Sequence, residues 1–136
     1  MPQYPLDHRN RLADLLNLHN AARANAQLGA LTFNIALGRA ACNHCWWMAA
    51  TGTLNHTGEN GSQLGERVSG EGYRWSTVAE NIAAGDPTAA AVMHSWMNST
   101  GHYTNIHRNA ITMMGACCVI KGNGTPYWCV VFAAPL

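Results

Sequence analysis

Charged residues are scarce in this 136-residue chain: 11% of its positions are charged, against about 25% in an average soluble domain. The formal net charge is +1, and no basic run or basic-aromatic surface is present. These absences argue against a nucleic-acid-binding protein. No apolar run approaches the roughly 18 residues that a transmembrane helix needs. The hydrolase signatures H-E-x-x-H and G-x-S-x-G are also missing.

The length of the chain fits one domain, residues 1–136 with a core at about 8–134, and no linker or internal repeat divides it. A chain of this size buries enough surface to fold without a metal or a partner subunit, so we expect a monomer. The segment Met1-Pro2-Gln3-Tyr4-Pro5 lacks the basic start and apolar stretch of a signal peptide. We expect a secreted, extracellular protein whose signal peptide has been removed; a protein that is not exported is the alternative.

Apolar periodicity predicts three main helices: residues 8–26, a helix capped by Asn34 that ends near residue 50, and a helix that begins at Asp86-Pro87. A short helix is expected between residues 61 and 72. Strand-forming residues occupy 73–83, 112–119 and 127–132, and the last two flank an Asn123-Gly124 turn. Because strands and helices do not alternate regularly, the pattern predicts an α+β fold.

Five cysteines leave at least one thiol unpaired if all bridges lie within the chain. Cys42 and Cys45 form a C-x-x-C motif, but a second such motif is missing and the surroundings are helical, so a redox role is disfavoured. A two-residue turn at 123–124 would place Cys118 opposite Cys129, which predicts a bridge between them. Cys117 would then pair with Cys42 or Cys45. The alternative is a set of buried thiols that pack as small hydrophobic side chains.

One stretch of the chain matches a known pattern. Its residues Trp96-x-x-Ser99-x-Gly101-His102-x-x-Asn105-Ile106 resemble a signature of the CAP superfamily, the cysteine-rich secretory, antigen 5 and pathogenesis-related proteins, whose domain is also called SCP. Further similar elements are His19-Asn20-x-x-Arg23, His56-Thr57-Gly58, Glu80-Asn81-Ile82-Ala83, and Gly115 with Tyr127 and Phe132. The resemblance spans about residues 12–133. Phe33 stands where tryptophan is commoner in the family.

This resemblance implies a three-layer α-β-α sandwich with a small, mostly antiparallel sheet. It also implies a cleft formed by four residues: His56, Glu66, Glu80 and His102. We expect Ser99, Asn81 and Asn105 to support that cleft. Two imidazoles can bind a divalent metal such as zinc, and because two protein ligands are few, we expect weak binding. The alternative is a polar network that only supports the loops. His44, in contrast, is expected to be packed and hydrogen-bonded rather than a ligand.

Two classes of function follow. The first is a secreted binding or effector module for a small hydrophobic ligand such as a lipid or sterol, or for a glycan or peptide. The second is a metal-dependent hydrolase, peptidase-like, in which Glu66 or Glu80 acts as the catalytic base. The missing hydrolase signatures favour the first class.

Overall fold

The computed structural model describes residues 1–136 and contains five α-helices and four strands. The helices are α1 (His8–Asn25), α2 (Ile35–Thr51), α3 (Leu64–Gly70), α4 (Ala89–Met97) and α5 (Thr100–Ile106). The strands are β1 (Thr32–Phe33), β2 (Trp75–Ala84), β3 (Met113–Ile120) and β4 (Pro126–Pro135). None of the helices combines the length and apolar composition that crossing a bilayer requires.

The four strands form one sheet in the order β1-β3-β4-β2, in which only β1 and β3 run parallel. Successive side chains of β3 and β4 point to opposite faces, and both faces are buried. Helices α1, α4 and α5 contribute to the core on one face, and α2 and α3 to the core on the other. The predicted α+β class and α-β-α layering are therefore confirmed.

Most helix boundaries follow from local chemistry. The Asn34 side chain accepts a hydrogen bond from the Leu37 N–H at 3.1 Å, and α2 ends before Gly52, whose φ is +68°. The helix predicted from Asp86-Pro87 begins later, because the Thr88 hydroxyl caps it by accepting from the Ala91 N–H at 3.1 Å. Ser99 occupies the N-cap position of the short helix α5. Strand β1, of two residues, lies in the connection between α1 and α2.

The hairpin between β3 and β4 differs from the prediction by one residue. Lys121 N–H donates to the Thr125 carbonyl at 2.8 Å, so the loop contains three residues, and Gly124 adopts φ +92°. This shift pairs Cys117 with Cys129 and leaves Cys118 opposite Trp128. A one-residue shift moves a side chain to the other face of a sheet. The predicted Cys118–Cys129 bridge is therefore wrong, and both thiols are free and buried.

The disulfide of the protein joins Cys42 on α2 to Cys117 on β3, whose Cα atoms are 4.9 Å apart. It is one of the two pairings left open for Cys117 by the sequence. The other candidate, Cys45, is a free thiol that donates to the Tyr127 carbonyl at 3.1 Å. The two bridged residues are 75 positions apart. Restricting an unfolded loop of that length stabilises the folded state by about 4.5 kcal/mol in the chain-entropy model.

Close packing between α2 and β3 depends on Gly115, because a Cβ atom at this position would overlap the backbone of Leu37 and Gly38. We expect Gly115→Ala to lower the free energy of unfolding by about 3 kcal/mol or more, since backbone atoms cannot move aside as a flexible side chain can. Urea denaturation measures the difference. Gly29→Ala is the matched control, because no atom lies within 4 Å of a Cβ there, and a change beyond about 0.5 kcal/mol in it is not expected. Equal stabilities of the two variants would contradict the packing role of Gly115.

His19 is a polar residue inside the α1 side of the core. Its Nδ1 donates to the Leu15 carbonyl at 2.7 Å, and its buried Nε2 has no hydrogen-bond partner. The pKa of His19 is lowered to about 4: burial lowers it most, the hydrogen bond to the Leu15 carbonyl opposes this, and the charge of Arg23 makes a smaller lowering contribution. The folded protein therefore holds this imidazole neutral at and well below neutral pH.

The lowered pKa of His19 makes stability depend on pH. Below its ordinary pKa of 6.5 the unfolded chain binds a proton that the folded chain binds only near pH 4. Between pH 7.5 and 4 this difference lowers the free energy of unfolding by about 3 kcal/mol. The His19→Gln variant has no imidazole to protonate at this position. Its free energy of unfolding should therefore fall less steeply than that of the wild type between pH 7.5 and 4. Urea denaturation at a series of pH values measures both slopes, and parallel curves would contradict the assignment.

Candidate functional site

A buried carboxylate, that of Glu80, lies at the centre of the site. Glu80 belongs to the edge strand β2, and its side chain is 1% exposed. Its Oε1 accepts a hydrogen bond from His56 Nδ1 at 2.9 Å, and its Oε2 accepts one from Arg67 Nη2 at 3.1 Å. His44 Nε2 lies 3.9 Å from Oε1. Three basic side chains therefore surround one carboxylate.

These partners decide the charge of Glu80. Burial alone would raise its pKa, but the hydrogen bond from His56, the electrostatic effect of the nearby His44 ring, and the charge and hydrogen bond of Arg67 together outweigh burial and lower the pKa. The carboxylate is thus ionised at neutral pH. Such partners are needed, because a carboxylate among the apolar residues of 78–83 is costly to bury without them.

Arg67 connects Glu80 to the loop that carries His56. Its side chain, 10% exposed, also donates to the carbonyls of His56 at 2.9 Å and Ser62 at 2.8 Å. It therefore fixes both ends of the 56–62 loop against the carboxylate. Sequence reasoning gave Arg67 no role, although the need of Glu80 for a cation pointed to a residue of this kind. A buried thiol, Cys129, completes the environment, with its Sγ 3.5 Å from Glu80 Oε2.

His56 presents its second ring nitrogen to solvent. An ionised carboxylate only accepts hydrogen bonds, so Nδ1 of His56 must donate to Glu80 and Nε2 is the unprotonated nitrogen of the neutral ring. The side chain is 59% exposed, and its Nε2 makes no hydrogen bond within the protein. The hydrogen bond to Glu80 raises the pKa of His56, against the lowering effect of burial.

His102 lies on the other side of the same cleft, in α5. Its Nδ1 is hydrogen-bonded to the Ser99 hydroxyl at 2.9 Å, and its carbonyl accepts from Asn81 Nδ2 at 3.1 Å. Burial, with a smaller contribution from the charge of His56, lowers the pKa of His102. At neutral pH His102 is therefore uncharged, and its Nε2 has no partner within the protein.

The amide of Asn105 joins α5 to the edge strand. Its Nδ2 donates to the Glu80 carbonyl at 3.2 Å and to Asn81 Oδ1 at 2.9 Å, and its Oδ1 accepts from Arg108 Nε at 3.0 Å. Asn81, Ser99 and Asn105 thus make direct contacts that orient the cleft residues.

The cleft itself has a volume of about 390 Å³, and every residue that lines it is polar or glycine. The lining residues are His56, Glu80, Ser99, Gly101, His102, Thr104, Asn105 and Arg108. Sequence reasoning did not identify Arg108 or Thr104, because neither belongs to a recognisable motif and an exposed arginine is ordinary in any sequence.

Glu66, the fourth residue expected in the cleft, is not part of this lining. It is exposed on α3, where its Oε1 accepts from the Gln63 N–H at 3.0 Å and completes a capping box at the helix start. Local helix capping therefore holds the carboxylate that the resemblance placed beside His56. His44, expected to be packed, is buried and donates from Nε2 to the Asn55 carbonyl at 2.7 Å.

Comparison with known proteins identifies the family. Residues 16–132 match the profile of CAP, the cysteine-rich secretory protein family. The chain belongs to the CAP family. The resemblance seen in the sequence signature around His102 is thereby confirmed.

Bacterial proteins are among the relatives of this CAP chain. The uncharacterized protein YkwD of Bacillus subtilis is 28% identical over 109 residues, which cover 80% of this chain and 42% of YkwD. An extracellular protein with an SCP domain from Bacillus anthracis has a TM-score of 0.84 at 21% identity, covering 93% of this chain and 41% of that one. An outer surface protein of Borrelia burgdorferi has a TM-score of 0.91 at 17% identity, with both chains fully covered. The chain thus spans about two fifths of the two Bacillus proteins.

The hydrogen bond between His56 and Glu80 can be tested by titration. In Glu80→Gln we expect the pKa of His56 to fall, because the variant removes the anion that favours the charged imidazole. NMR titration of the His56 ring protons measures the shift. Glu59→Gln, which removes an exposed carboxylate, is the control and should leave the His56 pKa unchanged. An unchanged His56 pKa in Glu80→Gln would show that the carboxylate does not hold the ring.

Proposed function

We propose that this CAP domain is a binding module whose cleft holds a divalent metal such as zinc between His56 and His102 and takes a polar ligand, a glycan or a peptide. The proposal rests on one observation: the rings of the two histidines are hydrogen-bonded in the same way. Each has Nδ1 engaged by a protein partner and leaves Nε2 free at the same polar cleft.

The donor set fits a divalent metal. Histidines that ligate zinc commonly donate their other ring N–H to a carboxylate, which fixes the tautomer and orientation of the ring. The hydrogen bond from His56 to Glu80 has this form. Glu80 would then orient a ligand rather than bind the ion itself, since both of its oxygens already have partners. Two protein ligands leave positions open for water or for an oxygen of the bound molecule, so the affinity should be modest.

The lining of the cleft indicates the class of ligand. A bound ion would supply a positive charge that attracts and polarises oxygen atoms. Arg108 adds a second cation, while Ser99, Thr104 and Asn105 provide hydroxyl and amide groups. This surface favours hydroxyl-rich or carboxylate-bearing molecules over lipids and sterols, which need apolar walls.

The hydrolase alternative gains less support from the geometry. A general base works best with a pKa near the operating pH and with access to the substrate proton. Glu80 is buried, has a lowered pKa and is occupied by His56 and Arg67. Glu66 is committed to capping α3. We therefore retain the binding module as the proposed function, and propose that it acts outside the cell, as the extracellular and outer-surface relatives do.

Zinc should stabilise the protein through the two histidines. At a hundredfold excess over its Kd, zinc adds about 2.7 kcal/mol to the free energy of unfolding, which raises the melting temperature by roughly 8 °C in a protein of this size. We expect this shift in the wild type at pH 7.5, without reductant so that the disulfide stays intact, and expect little shift in the double variant His56→Ala, His102→Ala. Differential scanning fluorimetry measures both.

His94→Ala is the matched control, because His94 is exposed on α4 and lies outside the cleft lining. It should keep the full zinc shift. An equal shift in the His56, His102 double variant would locate the ion elsewhere and remove the basis for a metal in the cleft. Calorimetric titration of the zinc-loaded protein with acidic oligosaccharides and peptides, compared with Arg108→Gln, then tests the ligand class.

A further inference from the structure

A second group of metal-binding atoms lies away from the cleft, where α1 begins. The side chains of His8, Cys42 and Cys117 each offer one ligand atom, and these three atoms lie within 4.8 Å of one another. In the oxidised protein the two sulfurs are joined in the disulfide. We propose that reduction of this disulfide creates a site for a thiophilic divalent cation such as zinc, bound by His8, Cys42 and Cys117.

The position of His8 already suits such a site. Its Nε2 lies 3.5 Å from Cys117 Sγ. Zinc binds a thiolate sulfur at about 2.3 Å and a histidine nitrogen at about 2.0 Å, so tetrahedral geometry separates the two ligand atoms by about 3.6 Å. The existing distance therefore matches the coordinated one. The Cys42 and Cys117 sulfurs would need to part to about 3.8 Å for the same geometry.

His8 is held in place by the residues before α1. Gln3 exchanges two backbone hydrogen bonds with Ile120, at 2.9 and 2.7 Å, and so fixes the first residues against the end of β3. The Tyr4 ring then lies 4.7 Å from the His8 ring and 5.3 Å from the Trp46 ring. The His8 Nε2 also accepts from the Cys118 N–H at 3.3 Å, a bond that coordination to the metal would replace.

Solvent reaches the disulfide from one side. Cys42 is partly exposed and lines a cavity of about 660 Å³ together with Tyr4, Asn43 and Trp46. Cys117 is fully buried. A reductant can therefore attack at Cys42, and water from this cavity can occupy the fourth position of a three-ligand metal site.

The chemistry balances with a dithiol as the reductant. One thiolate of the dithiol attacks Cys42 Sγ, the bond to Cys117 breaks, and the second thiol releases the mixed disulfide. The dithiol is oxidised to a disulfide, and its two electrons and two protons leave Cys42 and Cys117 as thiols. Binding of the cation then releases both thiol protons and forms two metal–sulfur bonds and one metal–nitrogen bond.

The outcome would be a cross-link between α2 and β3 in either redox state. In an oxidising environment the disulfide would link the two elements, and in a reducing environment the bound metal would link them. This inference does not depend on the cleft of His56 and His102, which lies elsewhere in the chain.

Cobalt(II) provides a direct spectroscopic test, because thiolate ligands give it a ligand-to-metal charge-transfer absorption. The full chain is reduced with a water-soluble phosphine, desalted without oxygen and titrated with Co²⁺, and zinc competition then gives the affinity for zinc. We expect one equivalent of cobalt with thiolate charge transfer in the reduced protein, and no such absorption in the oxidised protein.

Variants assign the ligands. His8→Ala leaves the disulfide intact in the oxidised form and should weaken binding by about tenfold or more after reduction, since it removes one of three ligands. The double variant Cys42→Ser, Cys117→Ser should lose the charge-transfer absorption. The cleft double variant His56→Ala, His102→Ala should keep it, as should the control His94→Ala. Undiminished charge transfer in the Cys42, Cys117 double variant would assign the thiolates to other cysteines and overturn the proposal.

Circular dichroism provides the second readout, for the case that reduction alone unfolds the chain. Zinc added during reduction should then preserve the native spectrum of the wild type and fail to preserve that of His8→Ala. Loss of the native spectrum in both proteins, or its retention in both, would overturn the proposal.

Discussion

The buried negative charge of Glu80 is the constraint on which the site depends. A carboxylate that is 1% exposed is costly unless cations and hydrogen-bond donors compensate it. The compensation comes from three separate segments: α2 supplies His44, the following loop supplies His56, and α3 supplies Arg67. Folding cannot bury Glu80 without bringing these three segments together. The contacts between them form one wall of the cleft.

The opposite wall depends on the neighbouring residue of the same strand. Side chains alternate along β2, so Glu80 and Asn81 point to opposite faces of the sheet. Asn81 contacts Asn105 and the His102 carbonyl in α5, while Glu80 contacts the α2 and α3 side. Because β2 is an edge strand, the two walls meet around a free edge of the sheet. A Glu-Asn pair at an edge therefore joins the two helical layers in one polar site.

The sequence predicted features that depend on local chemistry. The Asn34 cap, the end of α2 and the α+β class follow from hydrogen bonding, glycine conformation and periodicity. The predicted cysteine pairing was wrong because it depends on the length of one loop. With Gly124 in the left-handed conformation, the hairpin loop has three residues instead of two, so Cys118 and Cys129 lie on opposite faces of the sheet. The cation for Glu80 could be foreseen as a requirement, but Arg67 could not be named, because long-range pairing leaves no trace in spacing. The capping of α3 by Glu66 is also a local feature, but Glu66 was assigned to the cleft on the basis of the family resemblance.

The disulfide has a topological consequence for the cleft. Every residue that lines the cleft, from His56 to Arg108, lies between Cys42 and Cys117 and hence inside one covalently closed ring. A protease that cuts the backbone once within this ring leaves the two fragments joined through sulfur. The exposed loop tips are the usual sites of such nicking. In an oxidising environment the two walls of the cleft would therefore stay covalently tethered after a single cut.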